Sequence, residues 1–169
     1  MNNYYYDVAL EDGTAPVGLR EVPYRAAEQR QRRHFDDITA GESLPVIVQG
    51  PITRTQIVKY AGASYDFNPI HHDEEFARQT LGDGIIAHGM MIMGYLGKCA
   101  TAYLGTAQFD KFSSRNLAMT RPGDILVIEG RVEKKTPTAG GGTVRISLSA
   151  RNQASDVLLC TGEVIATLS

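Results

Sequence analysis

Residues 89–104, GMMIMGYLGKCATAYL, constrain this chain more than any other stretch. They are apolar nearly all the way round at helical period, as expected of a helix buried on every side. Gly94 and Gly97 each lower its intrinsic helix propensity by about 1 kcal/mol relative to alanine. That cost is tolerable where a sheet must approach the helix closely. A helix of this kind cannot stand alone, so the remaining chain has to enclose it.

The flanking sequence supplies the means. Before the helix, LPVIVQ (44–49) is rich in β-branched residues and predicts a first strand. Thr53 is an N-cap for a helix over 54–63, with Ile57, Val58 and Ala61 at three-to-four spacing. Pro69 stops any helix through the next turn and holds Asn68 extended. Asp73 caps a short helix over 74–79, with Glu74 and Glu75 as solvated acids in its first turn. After residue 104 the period changes. Strands are predicted over 113–120, 125–134, 143–152 and 157–168, separated by the turn Arg121-Pro-Gly-Asp124, a glycine-rich loop over 137–142, and Ser155-Asp156. Val144, Ile146, Leu148 and Ala150 alternate with Arg145, Ser147, Ser149 and Arg151, the pattern of a half-buried antiparallel strand. The order predicts an α+β domain with the long helix packed on one face of a curved sheet. Residues 1–34 lie outside it as an N-terminal extension and 35–169 form the domain. Within the extension, Tyr4, Tyr5 and Tyr6 can pack on a surface or a partner subunit. Gly13, Pro16, Gly18 and Pro23 break regular structure, and the run Arg25–Arg33 reads as a solvated polar segment, helical at most over a short length.

Bulk properties exclude several function classes. At 169 residues with 43% hydrophobic and 21% charged residues, the chain suits one domain with a real core. A net charge of -2 gives no electrostatic case for nucleic acid or an anionic membrane. The N-terminus lacks a basic segment followed by an apolar one, so no signal peptide is expected. No apolar run approaches the ~18 residues that span a bilayer. Cys99 and Cys160 both sit in apolar surroundings, as buried free thiols do in a reducing cytosol, and a cytoplasmic location is expected.

Chemistry concentrates in residues 60–88, just ahead of the long helix, where three of the four histidines lie. Asp66 and His71 are five residues apart on a proline-stiffened loop and can converge on one small volume. Together they can hold a water and move two protons, one out of it and one into a substrate. Imidazole suits the task because its ordinary pKa is near 6.5. Asn68 can tie the loop down through its amide. Gly89 opens the long helix, where unpaired N–H groups favour a developing negative oxygen and the missing side chain lets a carbonyl approach. Bland readings stand beside these. Asp66 can merely cap a turn, and His88 can be an N-cap or a core hydrogen-bonder. His71 and His72 are adjacent, so in extended backbone only one faces a given site, and His72 is the surface or structural member. His71, His72, Asp73 and His88 match no ordinary zinc spacing, so no metal is expected.

The run YAGASYDFNPIHHDEEFA (60–77) resembles the hydratase signature of the MaoC-like, (R)-specific enoyl-CoA hydratases and dehydratases of the hotdog superfamily. IAHGMM (86–91) resembles the start of that family's central helix, and RPGDIL (121–126) also fits. The resemblance implies a single hotdog fold. It implies that Asp66 and His71 are the catalytic pair, positioning and activating water for syn addition across a trans-2-enoyl thioester or running the reverse dehydration. Gly89 would bind the thioester carbonyl through its N–H, and Asn68 matches a supporting asparagine. The residue before the aspartate, often glycine in relatives, is Tyr65 here, which packs outside the loop or narrows the pocket. A helix serine of some relatives falls at Gly97. His88 completes the set of supporting or substrate-binding positions. No cofactor is implied; the CoA or acyl-carrier arm belongs to the substrate. A homodimer or multiple of dimers is implied, with a role in fatty-acid metabolism. Alternatives are a subunit of a heteromeric hydratase for a steroid side chain or other bulky acyl-CoA, a hotdog thioesterase, and a non-catalytic acyl-CoA-binding subunit.

Overall fold

A computed structural model of the chain describes residues 5–7, 20–22, 33–105 and 109–169. The chain divides into two compact units, Met1–Arg30 and Gln31–Ser169. In the first, β1 (Tyr5–Asp7) pairs antiparallel with β2 (Arg20–Val22). Two short strands therefore occur in a region predicted to lack regular structure, and they flank Gly13, Pro16 and Gly18. Tyr4 and the polar run over 25–32 lie outside the described residues.

The second unit contains a five-stranded sheet in the order β3-β5-β6-β7-β4, antiparallel throughout. Its strands are β3 (Ile47–Gln49), β4 (Phe109–Asn116), β5 (Leu126–Thr138), β6 (Gly141–Asn152) and β7 (Leu158–Leu168). Three helices precede β4: α1 (Arg54–Ser64), α2 (Glu74–Leu81) and α3 (Gly89–Leu104). The long helix α3 starts and ends where the apolar pattern does. Its buried face, including Met91, Ile92, Leu96, Cys99, Ala100 and Leu104, packs on Ile128, Ile146, Leu148, Val164 and Ala166 of the sheet. Full burial of one such aliphatic side chain contributes about 1.5–3 kcal/mol. The alternation read in β6 is present: Val144, Ile146, Leu148 and Ala150 are buried and Arg145 is exposed. Both cysteines are free and buried. Among the described residues, no helix is long and apolar enough to cross a membrane.

Several expectations need correction. Helix α3 is not buried on every side: Met90, Gly94, Lys98 and Ala102 form an exposed stripe at four-residue spacing. A side chain at Gly97 would meet the Phe112 ring at 3.1 Å, whereas Gly94 faces open space, so only one of the two helical glycines serves close approach. The strand predicted over 113–120 is β4, displaced toward the N-terminus. Residues 117–120 leave the ladder: the Leu117 and Ala118 N–H groups both donate to the Leu159 carbonyl, and Thr120 O accepts from Ala87 N–H (2.8 Å). β3 starts late because Pro45, with no N–H, interrupts the ladder after Leu44 N–H donates to Gly130 O (2.9 Å). β5 runs on to Thr138 through Pro137, and β3 flanks it only over Leu126–Ile128, so near the proline it behaves as an edge strand.

Arg33, the first described residue of this unit, is not simply solvated. Arg33 donates its backbone N–H to Leu104 O (3.3 Å), pairs with Glu42 (3.1 Å) and lies 4.3 Å over the Tyr103 ring. It fastens the chain to the C-terminal end of α3, where carbonyls lack helical partners.

Candidate active site

The site begins where α1 ends. Thr53 Oγ1 accepts from Gln56 N–H (3.1 Å), which sets the start of α1, and the helix stops at Tyr65 in the left-handed region (φ 59°). That conformation is uncommon for an aromatic residue. It turns the chain so that Asp66 Oδ1 accepts from Asn68 N–H (3.3 Å) and Asn68 Oδ1 accepts from Ile70 N–H (3.2 Å). Asn68 therefore ties the loop down, capping a 3-10 turn over Pro69–His71. Tyr65 is exposed and meets Phe67 edge-on, with ring centroids 5.4 Å apart. It packs outside the loop and does not line the cavity described below.

His71 is buried, and its Nδ1–H donates to the Ile86 carbonyl (2.8 Å). This bond fixes the tautomer and leaves the Nε2 lone pair directed to the other side of the ring. There Nε2 lies 3.9 Å from Asp66 Oδ2. An oxygen held at about 2.8 Å from each atom would subtend an angle of about 90°, within what a water donating to both can reach. Burial pushes the His71 pKa below its ordinary value. The hydrogen bond to Ile86 opposes that shift, the nearby His88 reinforces it, and the Asp66 charge opposes it. The imidazole is thus held neutral, as a base requires. His72 is exposed and bonds through Nε2 to Phe67 O (3.0 Å), so only one of the adjacent histidines faces the site.

Behind His71 stands His88. It occupies the N-cap position of α3 but makes no side-chain cap bond. Its Nε2–H donates to the Asp66 backbone carbonyl (3.1 Å), and its ring stacks on His71 with centroids 3.7 Å apart and planes at 22°. It is a core hydrogen-bonder that locks the loop to the helix. The segment 84–88 is stitched on both sides: Ile86 N–H donates to Ile70 O (3.1 Å), and Arg121 Nη1 donates to Gly84 O (2.7 Å). Glu74, expected as a solvated acid, instead pairs with Arg54 (2.6 Å) and Arg78 (3.3 Å) and ties α1 to α2.

A cavity of about 720 Å³ opens on this group, and its walls include His71, Gly89, Ile92, Asn116, Met119 and Thr120. Of the residues singled out in the sequence, His71 and Gly89 line it; Asp66, Asn68, Tyr65 and His88 do not, and Asp66 lies 3.9 Å from His71 Nε2. The far wall, from Asn116 to Thr120, escaped sequence reasoning because those residues read as an ordinary strand.

Asp66, His71 and His88 are the possible metal-ligating group among the described residues, with ligand atoms within 4.8 Å of one another. Their arrangement does not fit an ion. Ring nitrogens bind metals in the ring plane, and two stacked, nearly parallel imidazoles cannot both point at one ion. The four residues of the conceivable zinc set do not converge either, since Asp73 Oδ1 caps α2 at Phe76 N–H (3.0 Å) and His72 faces Phe67.

The family model described as "MaoC like domain" matches residues 37–153, more than half of the chain. The chain belongs to the MaoC-like family. The MaoC-like chain is 28% identical over 136 residues to the (R)-specific enoyl-CoA hydratase of Rhodospirillum rubrum, covering 80% of this chain and 82% of that protein. It is 28% identical over 138 residues to the 3-hydroxybutyryl-CoA dehydratase of Methylorubrum extorquens, covering 78% of this chain and 82% of that one. The unliganded R-hydratase PhaJ1 of Pseudomonas aeruginosa superposes with a TM-score of 0.70 at 23% identity, over 80% of this chain and 84% of that chain, a likeness of fold. The MaoC-like chain has the hotdog fold, an antiparallel sheet around a central helix. It is an enzyme of the hydro-lyase class.

Proposed function

We propose that this MaoC-like enzyme adds water to the double bond of a trans-2-enoyl thioester to give the (R)-3-hydroxyacyl thioester, and runs the reverse dehydration. The observation that carries this reading is the pairing of Asp66 Oδ2 with His71 Nε2 at 3.9 Å, beside a cavity bounded by the N-terminus of α3. Water sits between the carboxylate and the neutral imidazole and donates to both. His71 Nε2 takes one proton as the oxygen bonds to C3, and the π electrons move to C2 and on to the thioester oxygen. That oxygen receives the Gly89 N–H, one of the first-turn donors without a helical partner. The imidazolium, stabilised by Asp66, returns its proton to C2 from the same face, so the addition is syn. The scheme uses no metal or redox group. The substrate brings its own CoA or carrier-protein arm. Pairing through the edge strands β3 and β4 would extend the sheet between copies, and a homodimer or multiple of dimers is the assembly we propose.

The test is incubation of purified protein with crotonyl-CoA and longer enoyl-CoAs, following enoyl absorbance and free thiol together. Loss of the enoyl chromophore without thiol release is expected. Thiol release would overturn hydration in favour of thioester hydrolysis, and no reaction from a homogeneous oligomer would point to a missing partner subunit.

A further inference from the structure

One polar side chain in the cavity wall has no part in the chemistry above. Asn116 is the last residue of β4, paired with Cys160 of β7. A methyl group built on Gly89 would stand 2.1 Å from Asn116 Nδ2, 2.9 Å from Cγ and 3.4 Å from Oδ1. The nitrogen end of the amide therefore occupies the place where any other residue at 89 would carry its side chain. Among the described residues the Asn116 amide has no hydrogen-bond partner. Its neighbours along the wall, Ile92, Leu117 and Ala118, are apolar. An exposed amide without a protein partner, beside Ile92, Leu117 and Ala118 in the cavity wall and close to a helix start, is suited to receive an acceptor from a ligand.

We propose that Asn116 is a second catalytic donor: its Nδ2–H binds the thioester carbonyl oxygen alongside the Gly89 N–H. Geometry permits this. Standard bond lengths put a backbone nitrogen about 2.5 Å from its own Cβ. With the 2.1 Å approach, the Gly89 nitrogen and Asn116 Nδ2 are then at most about 4.6 Å apart. Two donors that close can share one oxygen at about 2.9 Å from each. A carbonyl oxygen has two lone pairs, and both bonds strengthen as charge moves onto it in the transition state. Gly89 is then glycine for two reasons: its own N–H must be approached, and the neighbouring donor must fit over its Cα. The inference rests on the hydratase reading for its reaction but not for its contact.

The experiment compares wild type with Asn116→Leu, which keeps bulk without a donor, and Asn116→Ala. The readouts are steady-state hydration of crotonyl-CoA and the infrared carbonyl stretch of bound butyryl-CoA labelled with 13C at the thioester carbon. Each variant is expected to lose about 10²–10³-fold in kcat with a much smaller change in KM, the scale for one oxyanion donor. The bound carbonyl should absorb at lower frequency in wild type than in either variant. Retention of kcat within about threefold in Asn116→Leu, or the same carbonyl frequency in wild type and variants, overturns the proposal. Failure of wild type to bind butyryl-CoA overturns it equally. If wild type hydrates no enoyl-CoA yet the frequency difference is present, the donor stands and the hydratase reading falls.

Discussion

Replacing Gly89 with alanine isolates the role of the helix start. The new methyl would stand 2.1 Å from Asn116 Nδ2 and 2.9 Å from Asn116 Cγ. Ordinary contact needs about 3.4 Å or more, so the amide has to retreat by about 1.3 Å. Asn116 is an exposed side chain and can do so without unfolding the chain. Helix propensity favours alanine over glycine by up to about 1 kcal/mol. Thermal stability is therefore expected to stay level or rise slightly. Catalysis is not spared: a displacement of about 1 Å at the reacting centre costs about 100-fold, equivalent to about 2.7 kcal/mol at 1.36 kcal/mol per decade. The assay is kcat/KM for crotonyl-CoA beside a thermal melt, with Asn116→Ala and the double variant completing a cycle. If displacement of Asn116 causes the loss, Gly89→Ala adds little in the Asn116→Ala background. Full activity in Gly89→Ala would refute the reasoning, as would a strictly additive cycle.

Two further outcomes follow from the same geometry. Asp66→Asn and His71→Ala are each expected to cut the hydration rate at least about 100-fold while circular dichroism stays that of the wild type; near-normal turnover in both would remove them from the chemistry. The buried His71 has a folded pKa below its ordinary value, so below pH ~6.5 the unfolded chain binds the extra proton first. The stability it contributes is present above that pH and is lost as pH falls toward the depressed folded value. Urea midpoints for wild type should drop across this window, and the drop should be smaller in His71→Ala.

Several features were legible in the sequence because their causes are local. The starts of α1 and α2 follow from the caps Thr53 and Asp73, and both limits of α3 from the apolar run, each set within one helical turn; α2 runs on to Leu81, past the predicted end at 79. The burial alternation of β6 follows from a period of two. The division between His71 and His72 follows from their adjacency, and the loop that brings Asp66 to His71 is shaped by Pro69 and the Asn68 cap.

Other features were decided only in three dimensions. The end of β4 at Asn116 depends on where Leu159 offers its carbonyl, and no property of residues 117–120 announces that they leave the ladder to wall a cavity. The exposed stripe of α3 is set by how far the sheet curls around it, which hydrophobicity does not encode. His88 read as either a helix cap or a core hydrogen-bonder, and the choice was made by a carbonyl contributed by the loop after α1. Asn116 meets Gly89 only because β4 lies at the sheet edge and delivers its last residue to the start of α3. Local rules assign caps, periods and turns because each involves atoms within a few residues. Which distant backbone groups become partners, and which side chains share a cavity wall, is a property of the packed sheet and helix together.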